Sequence, residues 1–250
     1  MIRTILFDVG GTLERFRQDE EYRARGGQKI LDLLAANGIS VEGDPRELSA
    51  QIFRDQAEYH KGWVPQHLVE LSPEEFCHRF LLRDKVADRD ALAALGEPVC
   101  RILEDDSVPR VVRPDAKETL KALSERGYHL GVISNNMSRY QVFDGLERYG
   151  LRSYLRDITV SAVVGFVKPN PEIFRIALRQ MQADPAETLY VGDSCWADMY
   201  GAANAGFGYT AFISKYNKDR ETCPVEIHPS VEITELAELV PWLDSLKSRG

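Results

Sequence analysis

The sequence of 250 residues has no long hydrophobic run, no block of basic residues and few cysteines. A membrane-spanning helix needs about 20 consecutive apolar residues, so the sequence argues against one. The N-terminus likewise lacks the basic and apolar regions that make up a signal peptide. The net charge of −8 disfavours a surface for nucleic acid or for an anionic membrane. We therefore expect a cytoplasmic protein with no nucleic-acid partner and no membrane partner.

The cysteines are scattered along the chain and include no Cys-x-x-Cys pair; they are Cys77, Cys100, Cys195 and Cys223. This spacing argues against a zinc site and against a disulfide framework. Such cysteines fit a reducing compartment, in agreement with the expected cytoplasmic location.

Hydrophobic periodicity divides the chain into one strand, a helical insertion and a long segment in which helices and strands alternate. Apolar residues make up 44% of the chain and charged residues 28%, which are ordinary values for a globular protein with a hydrophobic core. Alternating strands and helices predict a parallel sheet with right-handed crossovers. We expect an α/β fold, a Rossmann-like parallel sheet flanked by helices, with an inserted α-helical cap domain. We assign the core domain to residues 1–14 and 108–250 and the cap domain to residues 15–107.

Capping signals mark the helices of the insertion. Asp44 and Ser72 are each followed by proline and then by glutamate, which is typical of a helix N-terminus. The helix that follows Asp44 is expected to run towards Tyr59 and to end in a turn that contains Gly62.

The N-terminal stretch carries the first candidate for chemistry. Residues 5–7 form an apolar run that is typical of a central strand buried on both faces. The run ends in Asp8, and the pair Gly10-Gly11 then breaks the strand. Open α/β sheets bind their ligands at the carboxyl ends of such strands. On this stretch alone, Asp8 could equally be a solvent-facing residue that starts a turn.

Three later strand ends also carry polar residues, namely Ser134-Asn135, Lys168, and Asp193 followed by Asp198. Each of these residues could have a purely structural role, because serine and asparagine form turns, loop lysines are usually solvated, and aspartate often caps a helix. The carboxyl ends of parallel strands converge on one crevice, however, so the strand ends together favour a common site.

These strand ends belong to four motifs: Phe7-Asp8-Val-Gly10-Gly11-Thr12-Leu13, Val132-Ile-Ser134-Asn135, Lys168-Pro169-Asn-Pro171-Glu172-Ile-Phe174, and Val191-Gly192-Asp193-Ser194 with Asp198. In type and order they resemble the motifs of the haloacid dehalogenase superfamily of phosphohydrolases, in the subgroup with a helical cap after the first strand. The resemblance covers the whole α/β core, whereas the cap matches only in type.

The resemblance implies that Asp8 is the nucleophile, which attacks phosphorus and becomes an aspartyl-phosphate. Ser134 and Lys168 would complete the catalytic set, by a hydrogen bond to a phosphoryl oxygen and by a positive charge. The implied phosphate-binding residues are Gly10, Gly11, Asn135 and Lys168.

The resemblance also implies one Mg²⁺ ion, held by Asp8, Asp193 and the backbone carbonyl of Gly10, because this hard cation prefers oxygen ligands. Asp198 would be a further ligand through water or would orient Lys168. Thr12 would support the loop.

One position departs from the family pattern. Family phosphatases usually carry a second aspartate at the position of Gly10, where it protonates the leaving group and then activates water. A glycine keeps the backbone carbonyl but loses this general acid/base, a loss that typically costs about 10²–10⁴ in rate. Glu14, His60 and Lys61 are the candidate replacements.

Three functions therefore remain open. The first is hydrolysis of small phosphorylated substrates with good leaving groups, such as acyl, aryl or anhydride phosphates. The second is dehalogenation of 2-haloacids, which the retained metal acid Asp193 argues against because those enzymes need no metal. The third is a catalytically weak phosphate-binding or regulatory protein, which Gly10 favours.

The cap would exclude water from the site and choose the substrate. The segment 59–63 is the part of the cap best placed to face the site, but we favour the alternative in which Trp63 is a core residue of the cap, and His60 and Lys61 form a solvated helix end. Cys195 and Trp196 could border the pocket or pack beneath the following helix. The expected partner is a small phosphorylated molecule, and the chain is expected to be a monomer or a homodimer.

Overall fold

The computed structural model describes residues 1–17, 19–214 and 227–247, and its centre is a six-stranded parallel sheet. Cys223 and the last residues of the predicted core domain, 248–250, lie outside these ranges. The sheet order is β5-β4-β1-β6-β7-β8. Its strands are β1 (Thr4–Phe7), β4 (His129–Ser134), β5 (Leu155–Val160), β6 (Thr188–Gly192), β7 (Tyr209–Ile213) and β8 (Val231–Ile233); β2 (Glu14–Phe16) and β3 (Arg110–Val112) form a separate antiparallel ribbon.

Strand β1 lies in the middle of the sheet because it is apolar on both faces. Ile5 and Phe7 pack into one hydrophobic cluster, and Leu6 points to the opposite face and packs into another. Successive side chains of a strand point to opposite faces, so a strand buried on both sides needs an uninterrupted apolar run. The predicted α/β fold with a parallel sheet is confirmed.

Helices cover both faces of the sheet. One face packs against α7 (Ala116–Glu125), α8 (Gln141–Arg148) and α12 (Leu239–Lys247), and the other against α10 (Pro171–Met181) and α11 (Gly201–Asn204). A short helix, α9 (Ser161–Val164), follows β5.

The insertion is helical and has its own hydrophobic cluster, which draws on residues 30–103 and on Met137. Its helices are α1 (Glu20–Ala36), α2 (Pro45–Ala57), α3 (Val64–His67), α4 (Pro73–Arg79), α5 (Arg89–Ala94) and α6 (Gly96–Arg101). Asp44 and Ser72 accept hydrogen bonds from the first-turn backbone of α2 and α4, as their sequence context predicts. We retain residues 15–107 as the proposed bounds of the cap domain.

The helix after Asp44 does not end at Gly62. It continues as a wide helical turn, Glu58–Trp63, and then as α3 to His67. A glycine inside a helix is only mildly unfavourable, and Trp63 stacks on Tyr59 and on His67 within this segment, which stabilises the helical path. The prediction of a turn at this point is therefore wrong.

Cys77 and Cys100 are free and buried in the cap, whereas Cys195 is disulfide-bonded. The sequence argument against disulfides is therefore wrong at Cys195. Sequence spacing is a weak guide because the fold brings distant residues together. Trp196, which follows Cys195, stacks on Tyr200. Among the helices that the structure describes, none has the length and apolar character needed to cross a membrane.

Acidic residues of the cap contact the core at the loop after β4 and at the start of α9. Glu97 accepts hydrogen bonds from the Ser138 hydroxyl and from the Arg139 amide. The Arg139 guanidinium also pairs with Glu74. Buried Glu70 accepts a hydrogen bond from the hydroxyl of Ser161 at 2.7 Å. These contacts place the cap over the carboxyl ends of β4 and β5.

Glu70 provides a test of this contact through the pH dependence of stability. Burial is the main cause that raises the pKa of Glu70 to about 7, against the lowering effect of hydrogen bonds from Tyr59 and Ser161. The folded protein therefore holds a proton that the unfolded chain releases, so this contribution to stability is lost as the pH rises from about 4.5 through 7.

We expect Glu70→Gln to make the free energy of unfolding less dependent on pH in this range, by up to about 1.4 kcal/mol per pH unit. Urea unfolding at several pH values measures the slope. Glu75→Gln, at an exposed position of the same domain, is the control for removing one carboxyl group. Equal slopes for wild type and Glu70→Gln would contradict the assignment.

Candidate active site

The polar residues predicted at four strand ends meet at one edge of the sheet, although Lys168 lies in the loop between α9 and α10 and the prediction that it ends a strand is wrong. Asp8 follows β1, Ser134 ends β4 and Asp193 follows β6, and these three strands are neighbours in the sheet. The loop before α10 brings Lys168 to the same place. All four residues line a cavity of about 960 Å³, which is closed on its other side by α1, α2 and the turn that follows α2. The residues that the sequence predicts as a common site are therefore neighbours in the fold.

Lys168 is the centre of a buried hydrogen-bond network. Its Nζ donates to Oδ1 of Asp8 at 2.7 Å, to Oδ1 of Asp198 at 2.6 Å and to the Tyr190 hydroxyl at 3.0 Å. Burial alone would lower the pKa of Lys168, but the charges of Asp198 and Asp8 outweigh it and hold the pKa well above its usual value. Lys168 is therefore a permanent positive charge beside Asp8. Of the two roles considered for Asp198, its direct contact with Lys168 favours the orienting one.

Three carboxylates surround a space that suits a divalent cation. One oxygen from each of Asp8, Asp193 and Asp198 lies within 4.8 Å of the other two. Burial raises the pKa of Asp8 to about 6, and burial followed by the charges of Asp8 and Asp198 raises the pKa of Asp193 to about 8.

One oxygen of this acidic cluster is also left open. Oδ2 of Asp8 is buried and has no hydrogen-bond partner among the residues that the structure describes. A Mg²⁺ site without its ion is expected to show closely spaced acids with raised pKa values and a carboxylate oxygen without a partner, because no positive charge compensates the acids. The donor set therefore fits a magnesium ion.

The loop after β1 approaches Asp193 closely, and Gly11 makes this approach possible. Its φ angle is +92°, and a Cβ atom at this position would lie 2.1 Å from Oδ2 of Asp193. Only glycine satisfies both the backbone conformation and the steric requirement. Thr12 is buried behind the loop, and its hydroxyl has no partner in the described part of the chain.

Asn135 holds the lysine loop in place. Its side chain accepts a hydrogen bond from the backbone N–H of Lys168 at 2.8 Å and donates one to the carbonyl of the same residue at 3.1 Å. Each end of this amide makes one hydrogen bond to the main chain of Lys168, so the side chain of Asn135 positions the lysine loop. Ser134 is buried at the end of β4 and lines the cavity.

The space beside Gly10 is occupied by an aromatic ring. A Cβ atom at Gly10 would lie 3.2 Å from Cε1 of Phe16, and Phe16 is 51% exposed. Glu14, which lies beside Gly10 and is a candidate replacement for the missing acid/base, is buried. It pairs with Arg110 and accepts a hydrogen bond from the Tyr149 hydroxyl. These pairs hold Glu14 in the wall between the cap and the core.

The other two candidates, His60 and Lys61, line the cavity from the cap side. Nε2 of His60 lies 3.1 Å from Sδ of Met137, in the loop after Ser134. The ring opens onto the cavity, but the protein atoms around it desolvate it and lower its pKa. His60 is thus a neutral imidazole near the strand end that carries Ser134.

Sequence reasoning missed Tyr190, whose hydroxyl contacts both Lys168 and Asp198. A tyrosine between Leu189 and Val191 in a buried strand was a usable signal, because a buried phenol needs a hydrogen-bond partner. It also missed the cationic side chains of α1 and α2 on the cavity wall, which carry no motif.

A comparison with known families assigns the class of protein. The family model for haloacid dehalogenase-like hydrolases matches residues 2–206. The chain therefore belongs to this family of hydrolases, and the resemblance inferred from the four motifs is confirmed.

Similar proteins are named as phosphatases or as members of the same family. A glyceraldehyde 3-phosphate phosphatase of Methanothermobacter thermautotrophicus is 41% identical over 210 residues, which cover 82% of this chain and 83% of that protein. The human haloacid dehalogenase-like hydrolase domain-containing protein 3 is 30% identical over 258 residues, covering 98% and 95% of the two chains.

Solved structures support the same fold. A haloacid dehalogenase-type (HAD) hydrolase from Bacillus subtilis, bound to magnesium, superimposes on this chain with a TM-score of 0.63. The two sequences are 24% identical, and the match covers 97% of this chain and 99% of that one. Within the family, the similarity to the glyceraldehyde 3-phosphate phosphatase named above supports the phosphatase type.

The close approach of Gly11 to Asp193 leads to a stability prediction. We expect Gly11→Ala to lower the free energy of unfolding more than Gly38→Ala does. Gly38 also has a positive φ, +77°, but a Cβ atom there meets nothing within 4 Å, so it controls for backbone strain alone. The additional steric overlap at Gly11 should cost about 1–3 kcal/mol, measured by urea denaturation. Equal losses in the two variants would contradict the contact.

Proposed function

We propose that the protein is a Mg²⁺-dependent phosphohydrolase that acts on a small phosphorylated substrate through an aspartyl-phosphate at Asp8. The observation that carries the proposal is the arrangement around Asp8. Lys168 holds one of its carboxylate oxygens, the other has no hydrogen-bond partner among the described residues, and Asp193 and Asp198 lie close by. A pure binding surface needs no such buried and oriented carboxylate.

In the first step, a carboxylate oxygen of Asp8 attacks the phosphorus atom of the substrate. The new O–P bond forms as the bond from phosphorus to the leaving oxygen breaks, and that oxygen takes the electron pair. Lys168 and the hydroxyl of Ser134 stabilise the charge on the phosphoryl oxygens, and the fixed position of Lys168 makes its charge available without reorganisation. Asn135 and Tyr190 maintain this position through their hydrogen bonds to Lys168.

Asp8, Asp193 and the carbonyl of Gly10 would hold the Mg²⁺ ion. The bound ion would neutralise charge on the acids and on the transferring phosphoryl group. The carboxylate of Asp198 is engaged by Lys168, Tyr190 and the backbone N–H of Ser194, which supports an orienting role for it.

Gly10 restricts which leaving groups are suitable. It offers no proton to the leaving oxygen, so the leaving group must be stable as an anion. We therefore propose acyl, aryl or anhydride phosphates as the preferred substrates over simple alkyl esters. Hydrolysis of the aspartyl-phosphate then requires a water molecule that Gly10 does not activate, which predicts a slow second step.

Turnover of aryl and acyl phosphates in the presence of Mg²⁺ is the direct test of this function. We expect Asp8→Asn to lower kcat by at least about 10⁴-fold while the fold is retained, because an amide of the same shape is a poor nucleophile. Release of inorganic phosphate measures the rate. Activity that survives EDTA would refute the metal assignment. A wild-type protein that hydrolyses none of these phosphates would refute the proposed enzymatic function.

The missing acid/base at position 10 can be restored. We expect Gly10→Asp to raise kcat/KM for alkyl phosphates by at least about tenfold, with a smaller effect on aryl phosphates, whose leaving groups need less protonation. Phe16 is half exposed and can yield to the new side chain. Gly10→Asn has the same shape and no transferable proton, and serves as the control. An equal gain in both variants would contradict the proton-transfer argument.

A further inference from the structure

Cationic side chains line the cap side of the cavity, opposite the acidic cluster of the core. Along α1, α2 and the turn after α2, the cavity is lined by Arg23, Arg46, Arg54 and Lys61. The acid that lines it from the same helices is Glu20. This excess of positive charge stands out in a chain whose net charge is −8.

These cations are not used in ion pairs with the residues that the structure describes. In contrast, other cap arginines do form such pairs, for example Arg79 with Glu75 and Arg83 with Glu58. A cation without a protein counter-charge on a cavity wall is suited to bind an anion of the ligand.

Arg54 is held ready for such a contact. Its Nε and Nη2 both donate to Oε1 of Gln51, at 3.1 and 2.6 Å. Because this acceptor is a neutral amide, it orients the guanidinium without cancelling its charge. The remaining N–H groups are available to a carboxylate or phosphate, which guanidinium binds in a planar, two-point geometry.

Arg54 lies on the cap wall away from the point where the cap contacts the loop after β4. Near its C-terminal end, α2 approaches the core, where Gln56 lies 3.8 Å and His60 lies 3.1 Å from Sδ of Met137. Arg54 precedes His60 by six residues, which corresponds to about 9 Å along a helix. Arg54 therefore lies nearly two helical turns from His60 along the cap wall of the cavity, where it can contact the part of a ligand that extends from the strand ends towards α2.

We propose that the leaving group of the substrate carries a second anion, a carboxylate or a phosphate, and that Arg54 binds it. This inference rests on the proposed phosphohydrolase function and assigns the class of its substrate. The buried acids and Lys168 take the phosphoryl end, and the cap selects for a negative charge at the far end. Arg23, Arg46 and Lys61 add to the positive potential of that wall.

A matched pair of substrates tests the proposal. The esters 4-carboxyphenyl phosphate and 4-carbamoylphenyl phosphate have the same shape and differ in the charge at the far end. We expect Arg54→Gln to lower the ratio of their kcat/KM values, charged over neutral, by about tenfold or more. The change should lie in KM, because Arg54 contacts the substrate equally before and during reaction. Arg54→Lys should retain part of the preference.

Arg25→Gln is the control, since Arg25 is an exposed arginine of the same domain that stacks on Tyr22 and does not line the cavity. Its ratio should equal that of the wild type. An unchanged ratio in Arg54→Gln would overturn the assignment of the anion site and leave the phosphohydrolase intact.

Binding separates the two proposals if turnover is absent. Calorimetry of the two esters on Asp8→Asn, with and without Arg54→Gln, measures recognition of the far-end charge without hydrolysis. A preference for the charged ester that disappears with Arg54→Gln supports the anion site even where the enzyme proposal has failed. Equal affinities for both esters on Asp8→Asn would overturn the anion site.

Discussion

The site depends on the ion pairs that buried Lys168 forms with two carboxylates, because a buried ammonium group is stable only when opposite charges compensate it. Its side chain is only 3% exposed, and it bridges Asp8, which follows β1, to Asp198, which follows β6. Removing one partner from such a pair leaves a charge in a low-dielectric environment, which costs about 3–5 kcal/mol. The ion pairs therefore connect the two central strands to the loop before α10, and the same contacts that stabilise this edge of the sheet position Asp8, the proposed nucleophile.

The charge distribution around the cavity has two parts with opposite signs. The core side holds three acids within reach of one another and one lysine, whereas the cap side holds cations that form no ion pair with the described residues. The acids alone repel an anionic substrate, and Lys168 together with the proposed Mg²⁺ ion would offset this repulsion. The cap cations act on a different part of the ligand. The cavity is therefore polar at both ends. The core end suits a phosphoryl group, and the cap end suits a second anion.

The sequence predicted the core better than the cap. The apolar run before Asp8 and the order of the four motifs were sufficient to predict the parallel sheet, the meeting of its strand ends and the family. The cap could be predicted only as helical, because its residues follow no motif. The continuation of the helix through Gly62 depends on the packing of Trp63 against Tyr59, a tertiary contact that a local pattern does not contain. Likewise, the place of Arg54 on the cavity wall depends on how the cap meets the core.

Gly10 and Gly11 are neighbours in the chain, but the fold treats them differently. At Gly11 the backbone conformation and the carboxylate of Asp193 both forbid a side chain, whereas at Gly10 only the movable ring of Phe16 is in the way. Evolution can therefore change residue 10 without rebuilding the loop, but it cannot change residue 11. The position that decides the capacity for proton transfer is residue 10, and residue 10 is also the position where a side chain is sterically tolerated. A lineage with this architecture can gain or lose that capacity in one mutational step and keep Asp8, Lys168 and the acidic cluster throughout.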